Sequence, residues 1–439
     1  MMNETPFYIG LAGFGTVGSG LCELLRVNAD IIKRRTGREI AVKAILVRDP
    51  AKKRNVAAPD GAAITTSPGV LTDDPQIEAV VELMGGIEPA KSLIEAALAR
   101  GKHVVTANKA LLAESSLELF KQAESNDRIL RYEASVAGAI PVVGALKDSL
   151  NGNRVTALAG ILNGTSNYIL SEMTSNGLEF DTALKQAQEL GFAEADPSLD
   201  IDGFDAAHKL IVLIRLAFGL HYPYASLPVQ GIRGLSGMDI RLAREFDSRI
   251  KLIGMVRAFE ESGRIQLAAG VFPALIHYKF LLARVGGAYN ALRVEANASG
   301  PLFFHGKGAG ALPTAGAVLA DLMAVAREER PNNTGFTVAQ LPRADILPTA
   351  SWPSRFYLRI MVEDTPGVLR DISGCLAAED ISVAQMIQKG EQANGVPLVF
   401  MTHETTEQAM RNALEQARKL GLLKEEPVYF RVLKKEEAN

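Results

Sequence analysis

The sequence predicts an α/β protein: a doubly wound parallel sheet, then an α+β domain on an open sheet, then a smaller βαββαβ domain. Three observations predict this order. Short apolar runs alternate with helical patterns up to about residue 140, and longer helices mix with β-rich stretches in 141–310. A proline-rich linker at 331–354 then precedes six alternating elements in 355–439. Strands that alternate with helices pair in parallel through right-handed crossovers.

The composition is typical of a globular protein with several domains. A chain of 439 residues is too long for one ordinary core. The net charge of -3 gives no electrostatic case for a nucleic-acid partner, and no apolar run reaches the ~20 residues that span a bilayer. The N-terminus lacks a secretory signal, and Cys22 and Cys375 are expected to be core residues in a reducing compartment. We therefore expect a cytoplasmic protein without a membrane partner.

Residues 1–140 are predicted to form the doubly wound domain. Its strands are expected at residues 7–12, 40–47, 79–84, 103–106 and 129–133, and its helices at 17–35, 90–100 and 115–125. A helix at about 311–330 has a glycine-rich start and follows a strand, so we expect it to return and pack on this domain.

Residues 141–310 are predicted to bind the substrate and to dimerise. Helices are expected at 182–190 and 202–216, and strands at 154–162 and 264–271. Beyond the linker, strands are expected at 355–362, 381–388, 397–403 and 428–432, with helices at 368–377 and 406–419.

A glycine-rich fingerprint follows the first predicted strand. Gly13-Phe14-Gly15-Thr16-Val17-Gly18 matches G-x-G-x-x-G between an apolar strand and a helix, which is the context that the fingerprint requires. Gly13 permits the tight turn, Gly15 lets the backbone approach a pyrophosphate, and Gly18 packs helix on strand. The motif predicts a Rossmann domain that binds a dinucleotide through residues 13–18. A plain glycine-rich turn is the alternative.

The end of the second strand bears on which dinucleotide is bound. An acid there accepts the ribose 2′-hydroxyl of NAD, whereas an arginine binds the 2′-phosphate of NADP. Arg48 and Asp49 are adjacent, so both cofactors stay open. The basic residues that follow Arg48, at positions 52–54, favour NADP.

A lysine follows the fourth strand on the ligand side of the sheet. Thr106-Ala107-Asn108-Lys109 begins at the carboxyl end of this strand, the edge where doubly wound sheets bind ligands. Thr106 and Lys109 are therefore candidate cofactor contacts, and Lys109 is also placed to polarise a substrate. A surface charge without a function is the alternative for Lys109.

Five carboxylates precede a lysine on a predicted helix. They are Glu194, Asp196, Asp200, Asp202 and Asp205, and the helix continues through Lys209 into an apolar run. Asp205 and Lys209 are four residues apart and can pair on one helix face. Because the apolar run turns this face into the protein, the cluster indicates a site that grips an ammonium group and supplies a proton. The alternative is an acidic loop with Asp202 as the helix N-cap.

Another glycine-rich stretch, Gly306-Lys307-Gly308-Ala309-Gly310, precedes the return helix. Its small residues allow close backbone approach to a ligand, with Gly310 as a candidate cofactor contact, or form a flexible turn. Whether the neighbouring His305 touches the cofactor or only packs stays open.

Together these segments resemble the homoserine dehydrogenase family over essentially the whole chain. Six motifs in order carry the resemblance: GFGTVG at 13–18, TANK at 106–109, YEASVAGAIP at 132–141, GILNGTSNYIL at 160–170, the acidic segment 194–209 and GKGAG at 306–310. The resemblance implies NAD(P)-dependent reduction of L-aspartate 4-semialdehyde to L-homoserine, in threonine, methionine and isoleucine biosynthesis.

The resemblance also implies roles for the site residues. Lys209 would donate the proton when the aldehyde is reduced, and Lys109 would assist at the reacting centre. Glu194, Asp200 and Asp205 would hold the substrate's amino group and orient the lysines. A further set matches a monovalent-cation site that binds sodium mainly through backbone carbonyls: Glu133, Val136, Gly138 and Ile140. The residues alone predict only a strand end and a loop there.

The C-terminal βαββαβ segment resembles an ACT domain, with Asp364-Thr365-Pro366-Gly367-Val368-Leu369 at its first strand-to-helix turn. The resemblance implies feedback by an amino acid, for which we expect L-threonine. A dimerisation module without a ligand is the alternative. We expect a homodimer or homotetramer, because the middle sheet and such a domain commonly bury surface against a second copy.

Two other function classes compete with this interpretation. A different NAD(P) oxidoreductase would share the fingerprint but has no need of the segment 194–209. A nonenzymatic sensor of cofactor and amino acid would leave the paired lysines and carboxylates without a task.

Overall fold

The structure is a computed structural model that describes residues 5–54, 56–261, 263–327, 331–337, 341–389 and 395–439. Within these residues the chain forms two β-sheets, one of six strands and one of ten. The same residues contain no helix that is both long enough and apolar enough to cross a membrane.

The first sheet is fully parallel, with strand order β3-β2-β1-β4-β5-β6. This order, with helices in the crossovers, confirms the predicted doubly wound fold. Its elements are β1 Phe7–Ala12, α1 Thr16–Val27, α2 Ala29–Thr36, β2 Ile40–Leu46, β3 Ala63–Thr65, α3 Gly69–Thr72, β4 Ile77–Glu82, α4 Ala90–Ala99, β5 His103–Thr106, α5 Lys109–Ser125 and β6 Leu130–Arg131.

Two predictions for this part need correction. The single helix predicted at 17–35 is two helices, which separate at Asn28, where φ is −102° and ψ is 14°. The strand predicted at 129–133 is limited to β6. Its expected last residue, Glu133, instead begins a 3-10 helix, Glu133–Ser135, and its carboxylate accepts the N–H groups of Val143 and Gly144.

The middle part of the chain wraps helices over an antiparallel sheet with strand order β11-β10-β7-β8-β9. Its elements are α6 Val142–Gly144, β7 Val155–Ile161, α7 Gly164–Asn176, α8 Phe180–Glu189, α9 Ser198–Ile201, α10 Phe204–Phe218, α11 Gly237–Glu245, β8 Ser248–Glu261, β9 Arg264–His277, α12 Leu281–Arg284, β10 Tyr289–Ala296, β11 Gly300–Lys307 and α13 Ala311–Ala326. A π-helix, Ala145–Ser149, and a 3-10 helix, Tyr224–Ser226, connect them.

The helix α13 crosses back to the first sheet and packs on α1. A Cβ atom on Gly20 would lie 3.1 Å from the carbonyl oxygen of Ala311, so the absence of a side chain at Gly20 permits this close crossing. The helix α1, which begins in the fingerprint, therefore packs against α13, which follows the second glycine-rich stretch.

The C-terminal part has the predicted βαββαβ order. Before it, in the linker, the strand β12 Asp345–Ile346 pairs with β9. The βαββαβ elements are β13 Arg355–Val362, α14 Val368–Ala378, β14 Val383–Gln388, β15 Val396–Thr402, α15 Glu407–Lys419 and β16 Val428–Val432, and the short helix α16 Lys435–Ala438 follows them. A 3-10 helix, Thr349–Ser351, precedes β13. The strand β16 pairs in parallel with β9, so the C-terminal strands continue the middle sheet.

Candidate active site

The fingerprint turn has the backbone that a pyrophosphate site requires. Gly13 has φ 104°, and a Cβ atom there would lie 2.6 Å from the carbonyl oxygen of Leu83. A Cβ atom on Gly18 would lie 2.2 Å from the carbonyl oxygen of Gly13, so the helix packs directly on the turn. Gly15, the N-cap of α1, faces open space at its Cβ position. The free helix N-terminus is therefore accessible to an anionic ligand.

The other predicted cofactor residues surround this turn. Thr16 is exposed, Val17 is half-buried, and Phe14 is buried beneath Arg54, whose guanidinium lies 5.9 Å from the centre of the ring. Arg48 is exposed just after β2. The neighbouring carboxylate of Asp49 accepts the N–H of Ala51 at 2.8 Å and so closes its own turn.

The ends of β4 and β5 are tied together by two polar side chains. The Thr106 hydroxyl donates to Glu82 Oε2 at 2.6 Å, while Glu82 Oε1 accepts the N–H of Met84 at 2.7 Å. Asn108 then caps α5 by accepting the N–H of Leu111. Sequence reasoning missed Glu82, although a polar residue at the carboxyl end of a central parallel strand is a usable signal.

The two predicted lysines converge on one carboxylate. Lys109, the first residue of α5, places its Nζ 2.7 Å from Asp205 Oδ1. Lys209, one turn after Asp205 on α10, places its Nζ 2.7 Å from Asp205 Oδ2 and also donates to the Leu162 carbonyl at 2.7 Å. Asp205 and Lys209 are 6% and 7% exposed, whereas the side chain of Lys109 is 40% exposed. The structure thus forms the buried carboxylate–lysine cluster that the sequence predicts.

This arrangement shifts the pKa values of the two lysines in opposite directions. Burial lowers the pKa of Lys209, against the attraction of Asp205. The charge of Asp205 raises the pKa of Lys109, against a smaller effect of burial. Burial opposes ionisation of Asp205, but the two ammonium groups outweigh it and hold the pKa of Asp205 well below its usual range. Of the two ammonium groups, Lys209 is therefore the one whose pKa is lowered and Lys109 the one whose pKa is raised.

An asparagine that sequence reasoning missed joins the carboxylates. Asn163 Nδ2 donates to Asp200 Oδ1 at 2.6 Å and to Asp205 Oδ2 at 2.8 Å, and its Oδ1 caps α7. Burial, followed by the charge of Asp205, raises the pKa of Asp200. The signal was available, since Asn163 lies just beyond the apolar strand β7 and within the motif at 160–170.

The helix predicted at 202–216 begins two residues later in the structure, and the alternative role of Asp202 is wrong. Asp202 is not the N-cap of the helix, because α10 begins at Phe204 after Gly203, whose φ is 89°. The Asp202 carboxylate instead binds Arg233 at 2.7 and 2.8 Å. Glu194 is exposed at the rim, where its charge contributes to the raised pKa of Lys109.

The second glycine-rich stretch leads from β11 to α13. Gly310 is the N-cap of α13 with φ 118°. A Cβ atom on Gly138 would lie 2.6 Å from the Gly308 carbonyl group, so this stretch lies against the turn 133–140. His305 stacks on Tyr289 with ring centres 5.2 Å apart.

The residues of the expected cation site share one buried turn. Ala137 and Gly138 have φ values of 56° and 54°, and the Ile140 carbonyl accepts the N–H of Val142 at 2.8 Å. Glu133 and Val136 are both buried, and burial raises the pKa of Glu133. The described residues contain no group of three His, Cys, Asp or Glu side chains that would hold a metal ion.

Comparison with known proteins agrees with this geometry. Residues 13–133 match the family model of the homoserine dehydrogenase NAD binding domain, residues 141–323 that of homoserine dehydrogenase, and residues 356–422 that of the ACT domain. Homoserine dehydrogenases from Neisseria gonorrhoeae and Pseudomonas aeruginosa are 43% and 40% identical over 417 residues, which cover 93% of this chain and 94% of each relative.

Solved structures show the same likeness. A homoserine dehydrogenase from Thiobacillus denitrificans has a TM-score of 0.93 at 42% identity, over 99% of this chain and 100% of that one. A hyperthermophilic archaeal homoserine dehydrogenase in complex with NADPH has a TM-score of 0.62 at 26% identity, over 75% of this chain and 100% of that one. The N-terminal part is thus a nicotinamide-cofactor domain and the C-terminal part an ACT domain. The chain is an oxidoreductase that belongs to the homoserine dehydrogenase family.

Proposed function

We propose that this enzyme reduces L-aspartate 4-semialdehyde to L-homoserine, with Lys209 as the proton donor, in the biosynthesis of threonine, methionine and isoleucine. The observation that carries the proposal is the Asp205 carboxylate with one lysine on each oxygen. One of these lysines begins α5 at the ligand edge of the cofactor domain, and the other lies on α10 of the middle part. The cluster therefore joins the cofactor domain to the middle part, which supports a site where a cofactor and a small substrate would meet.

In this mechanism the fingerprint turn 13–18 would hold the nicotinamide cofactor, which would supply the hydride for the aldehyde carbon. Negative charge grows on the aldehyde oxygen, where Lys109 and Lys209 stabilise it. Lys209 then gives its proton to that oxygen, which burial makes easier by lowering its pKa. Asp205 stays ionised and keeps both ammonium groups in place. In the oxidation direction the neutral Lys209 amine takes the hydroxyl proton.

Two carboxylates are available for the amino group of the substrate. Asp200 and Asp205 both accept a hydrogen bond from Asn163. Glu194 is exposed and close enough to Lys109 for its charge to raise the pKa of that lysine. Each supplies negative charge for an ammonium group, and a carboxylate accepts several N–H donors at once. A substrate held in this way presents its other end to the two lysines.

NADP is the cofactor that we expect the enzyme to prefer, with NAD as the alternative. Asp49 uses its carboxylate within its own turn, whereas the neighbouring Arg48 is exposed beside the fingerprint. An exposed arginine at the end of β2 is suited to a 2′-phosphate.

A monovalent cation, for which we propose sodium, suits the turn 133–140. The donor set consists of the Glu133 carboxylate and the carbonyl groups of Val136, Gly138 and Ile140, which are hard oxygen ligands. The two N–H groups that the Glu133 carboxylate accepts leave it further acceptor capacity. Bound there, the cation would brace the turn that packs on Gly308.

The regulatory part of the proposal is feedback by L-threonine through the ACT domain, in a homodimer or homotetramer. Its support is the pairing of β16 with β9, which joins the ACT domain to the sheet behind the active site. The alternative is an ACT domain that only dimerises.

The first experiment measures the initial rate of NADP⁺ and NAD⁺ reduction with L-homoserine for the wild type, Lys209→Ala and Lys251→Ala. Lys251 is a matched control, because it is a buried lysine 3% exposed that bonds Asn167 and Val285 instead of Asp205. We expect Lys209→Ala to lose at least about 100-fold in kcat and still bind the cofactor. Lys251→Ala should keep the rate of its folded fraction.

Either of two results would contradict the proposal. The absence of turnover with homoserine in the wild type would mean a different substrate. A Lys209→Ala rate equal to that of Lys251→Ala would remove Lys209 as the proton carrier.

A further inference from the structure

The carbonyl group that holds the proton donor also holds a second side chain. Leu162 O, at the end of β7, accepts the Lys209 ammonium at 2.7 Å and Asn290 Nδ2 at 3.1 Å. A carbonyl oxygen has two lone pairs, so these two donors fill it. The side chain of Asn290 therefore shares with Lys209 the oxygen that holds the Lys209 ammonium.

Asn290 has features that packing alone does not require. It lies on β10 and is 1% exposed, and its Oδ1 has no hydrogen-bond partner among the residues that the structure describes. Burying an unpaired amide oxygen costs free energy, which an apolar residue of similar size would avoid. An asparagine at this position thus lowers stability compared with leucine, and a functional role would account for it.

The same amide contacts the second glycine-rich stretch. A Cβ atom on Gly308 would lie 2.1 Å from both Cγ and Nδ2 of Asn290, so only glycine leaves room for the amide. Two residues later, Gly310 is the N-cap of α13, which packs on the fingerprint helix α1. Asn290 is therefore the contact between the stretch 306–310 and the carbonyl group that binds Lys209.

We propose that Asn290 is a positioning residue for proton transfer. Through the Leu162 carbonyl group it holds Lys209 in position. Through its contact with Gly308 it sets this position relative to the loop that leads to the cofactor domain. The proposal rests on the assignment of Lys209 as the proton donor.

The charged groups that face Lys209 come from three helices, and Asn290 acts in addition to them. They are Asp205 and His208 on α10, Lys109 on α5 and Asp200 on α9. By donating to Leu162 O, the Asn290 amide withdraws negative potential that the ammonium of Lys209 would otherwise receive. Removing the amide strengthens the bond to the charged form of Lys209, and a bond to the charged form raises the pKa of a lysine.

The test uses Asn290→Leu in the oxidation direction, with L-homoserine and saturating cofactor, across pH. Neutral Lys209 is the base in this direction, so the rate increases with pH through the pKa of Lys209. We expect the midpoint to move up by about 0.5 pH unit, which lowers the rate about threefold on the acid side. Because the unpaired oxygen is removed, the melting temperature should stay the same or increase.

Asn167 gives the matched control, because it is also 1% exposed and also bonds a buried lysine. It accepts from Lys251 at 2.8 Å and donates to the carbonyl groups of Val285, Gly287 and Tyr289. Asn167→Leu should lower the melting temperature without moving the midpoint of the pH profile. A merely structural Asn290 would give this same result.

A second variant tests the contact with the loop. Gly308→Ala should displace the Asn290 amide and move the midpoint in the same direction, and the double variant Gly308→Ala/Asn290→Leu should move it no further. Fluorescence titration with NADPH separates any loss of cofactor affinity from this effect.

The outcomes separate this inference from the proposed function. If Lys209→Ala loses turnover but Asn290→Leu keeps the wild-type midpoint or shifts it downward, the inference about Asn290 is wrong and the proton donor stands. If Lys209→Ala keeps its turnover, both are wrong. An upward shift in Asn290→Leu, absent from Asn167→Leu, supports the inference.

Discussion

At the scale of single residues, Asp205 contacts two lysines whose pKa values shift in opposite directions. Both lysines touch its carboxylate, yet Lys209 is buried and Lys109 is partly exposed. Burial penalises the charged form of a lysine, whereas a nearby carboxylate favours it. The balance lowers the pKa of Lys209 and raises that of Lys109. One side chain can thus exchange a proton while the other supplies a fixed positive charge.

Arg48 is the residue for which we predict a change in cofactor preference. Arg48→Ala should lower kcat/KM for NADP⁺ roughly tenfold, because a charge-assisted contact to the 2′-phosphate is lost, and should change kcat/KM for NAD⁺ less than about twofold. Initial-rate measurements with both cofactors check this ratio.

The control for Arg48 is Arg100→Ala, which removes the same charge. Arg100 follows α4, pairs with Asp73, and precedes β5 at the edge of the sheet opposite the fingerprint. An equal loss for both cofactors in Arg48→Ala, or the same change in Arg100→Ala, would contradict a phosphate contact.

At the scale of elements, the sequence predicts helices and strands well where one period dominates. The apolar runs at β1, β4 and β5 lie within two residues of their predicted positions. The fingerprint helix α1 starts within one residue of its predicted start, but the predicted helix is interrupted at Asn28. The start of α10 was misplaced by local capping rules, because the contacts that decide it come from distant residues. Asp202 has the chemistry of an N-cap, but Arg233 binds its carboxylate and Gly203 makes the turn. No pattern near Asp202 shows that pairing.

The candidate site shows the same limit. Lys109, Asp205 and Lys209 follow from their motifs and from helix spacing. Asn290 does not, because its strand β10 also carries Arg293 and Glu295, so a polar residue there does not stand out. Its partners Leu162 and Gly308 are distant in sequence or in another element.

The turn that joins α9 to α10 is an element whose stiffness we expect to affect substrate binding. Arg233 fixes it through two contacts to Asp202, and the N–H of Ile232 donates to the Ile201 carbonyl at 2.7 Å. Asp200 lies in α9, two residues before Asp202. Arg233→Ala should raise KM for L-homoserine about threefold with kcat little changed, because part of the ordering of Asp200 is lost before binding.

Arg241→Ala is the control for this turn. Arg241 lies on α11 and is about as exposed as Arg233, but it pairs with Glu179 at 3.8 Å. A KM that rises equally in both variants would show a general charge effect on a charged substrate instead of a local one.

At the scale of the whole molecule, the ACT domain is joined to the catalytic part more closely than the sequence indicates. The linker at 331–354 predicts a separate unit, whereas β16 continues the middle sheet through β9. A parallel pair between strands about 155 positions apart has no local signature, since both strands have the apolar pattern of any buried strand. A cavity of about 180 Å³ lies at this junction, lined by Pro228, Gln230, Phe272, Glu407, Arg411 and Arg431 among others.

A buried ion pair crosses the same junction. Arg359 of β13 donates through Nε to Asp239 Oδ1 at 2.7 Å and through a terminal nitrogen to Oδ2 at 3.2 Å. Asp239 lies on α11, which also contacts β8 under the active site. The ACT domain is therefore connected to the catalytic part by this ion pair as well as by the pairing of β16 with β9. Two states of such a junction are what feedback by an effector requires.

Arg359→Met tests this connection. The variant leaves Asp239, which is 1% exposed, without its charge partner, and we expect the free energy of unfolding to fall by about 3 kcal/mol in urea denaturation. Arg359→Met combined with Asp239→Leu should regain most of that loss, because no buried charge remains.

Both variants remove the contact, so inhibition by L-threonine should weaken at least about fivefold in the double variant even though its stability is restored. A double variant that threonine inhibits as strongly as the wild type would show that this pair stabilises the junction without transmitting the effector signal. A wild type that does not respond to threonine would instead contradict the feedback proposal itself, and the ACT domain would then be a module for assembly.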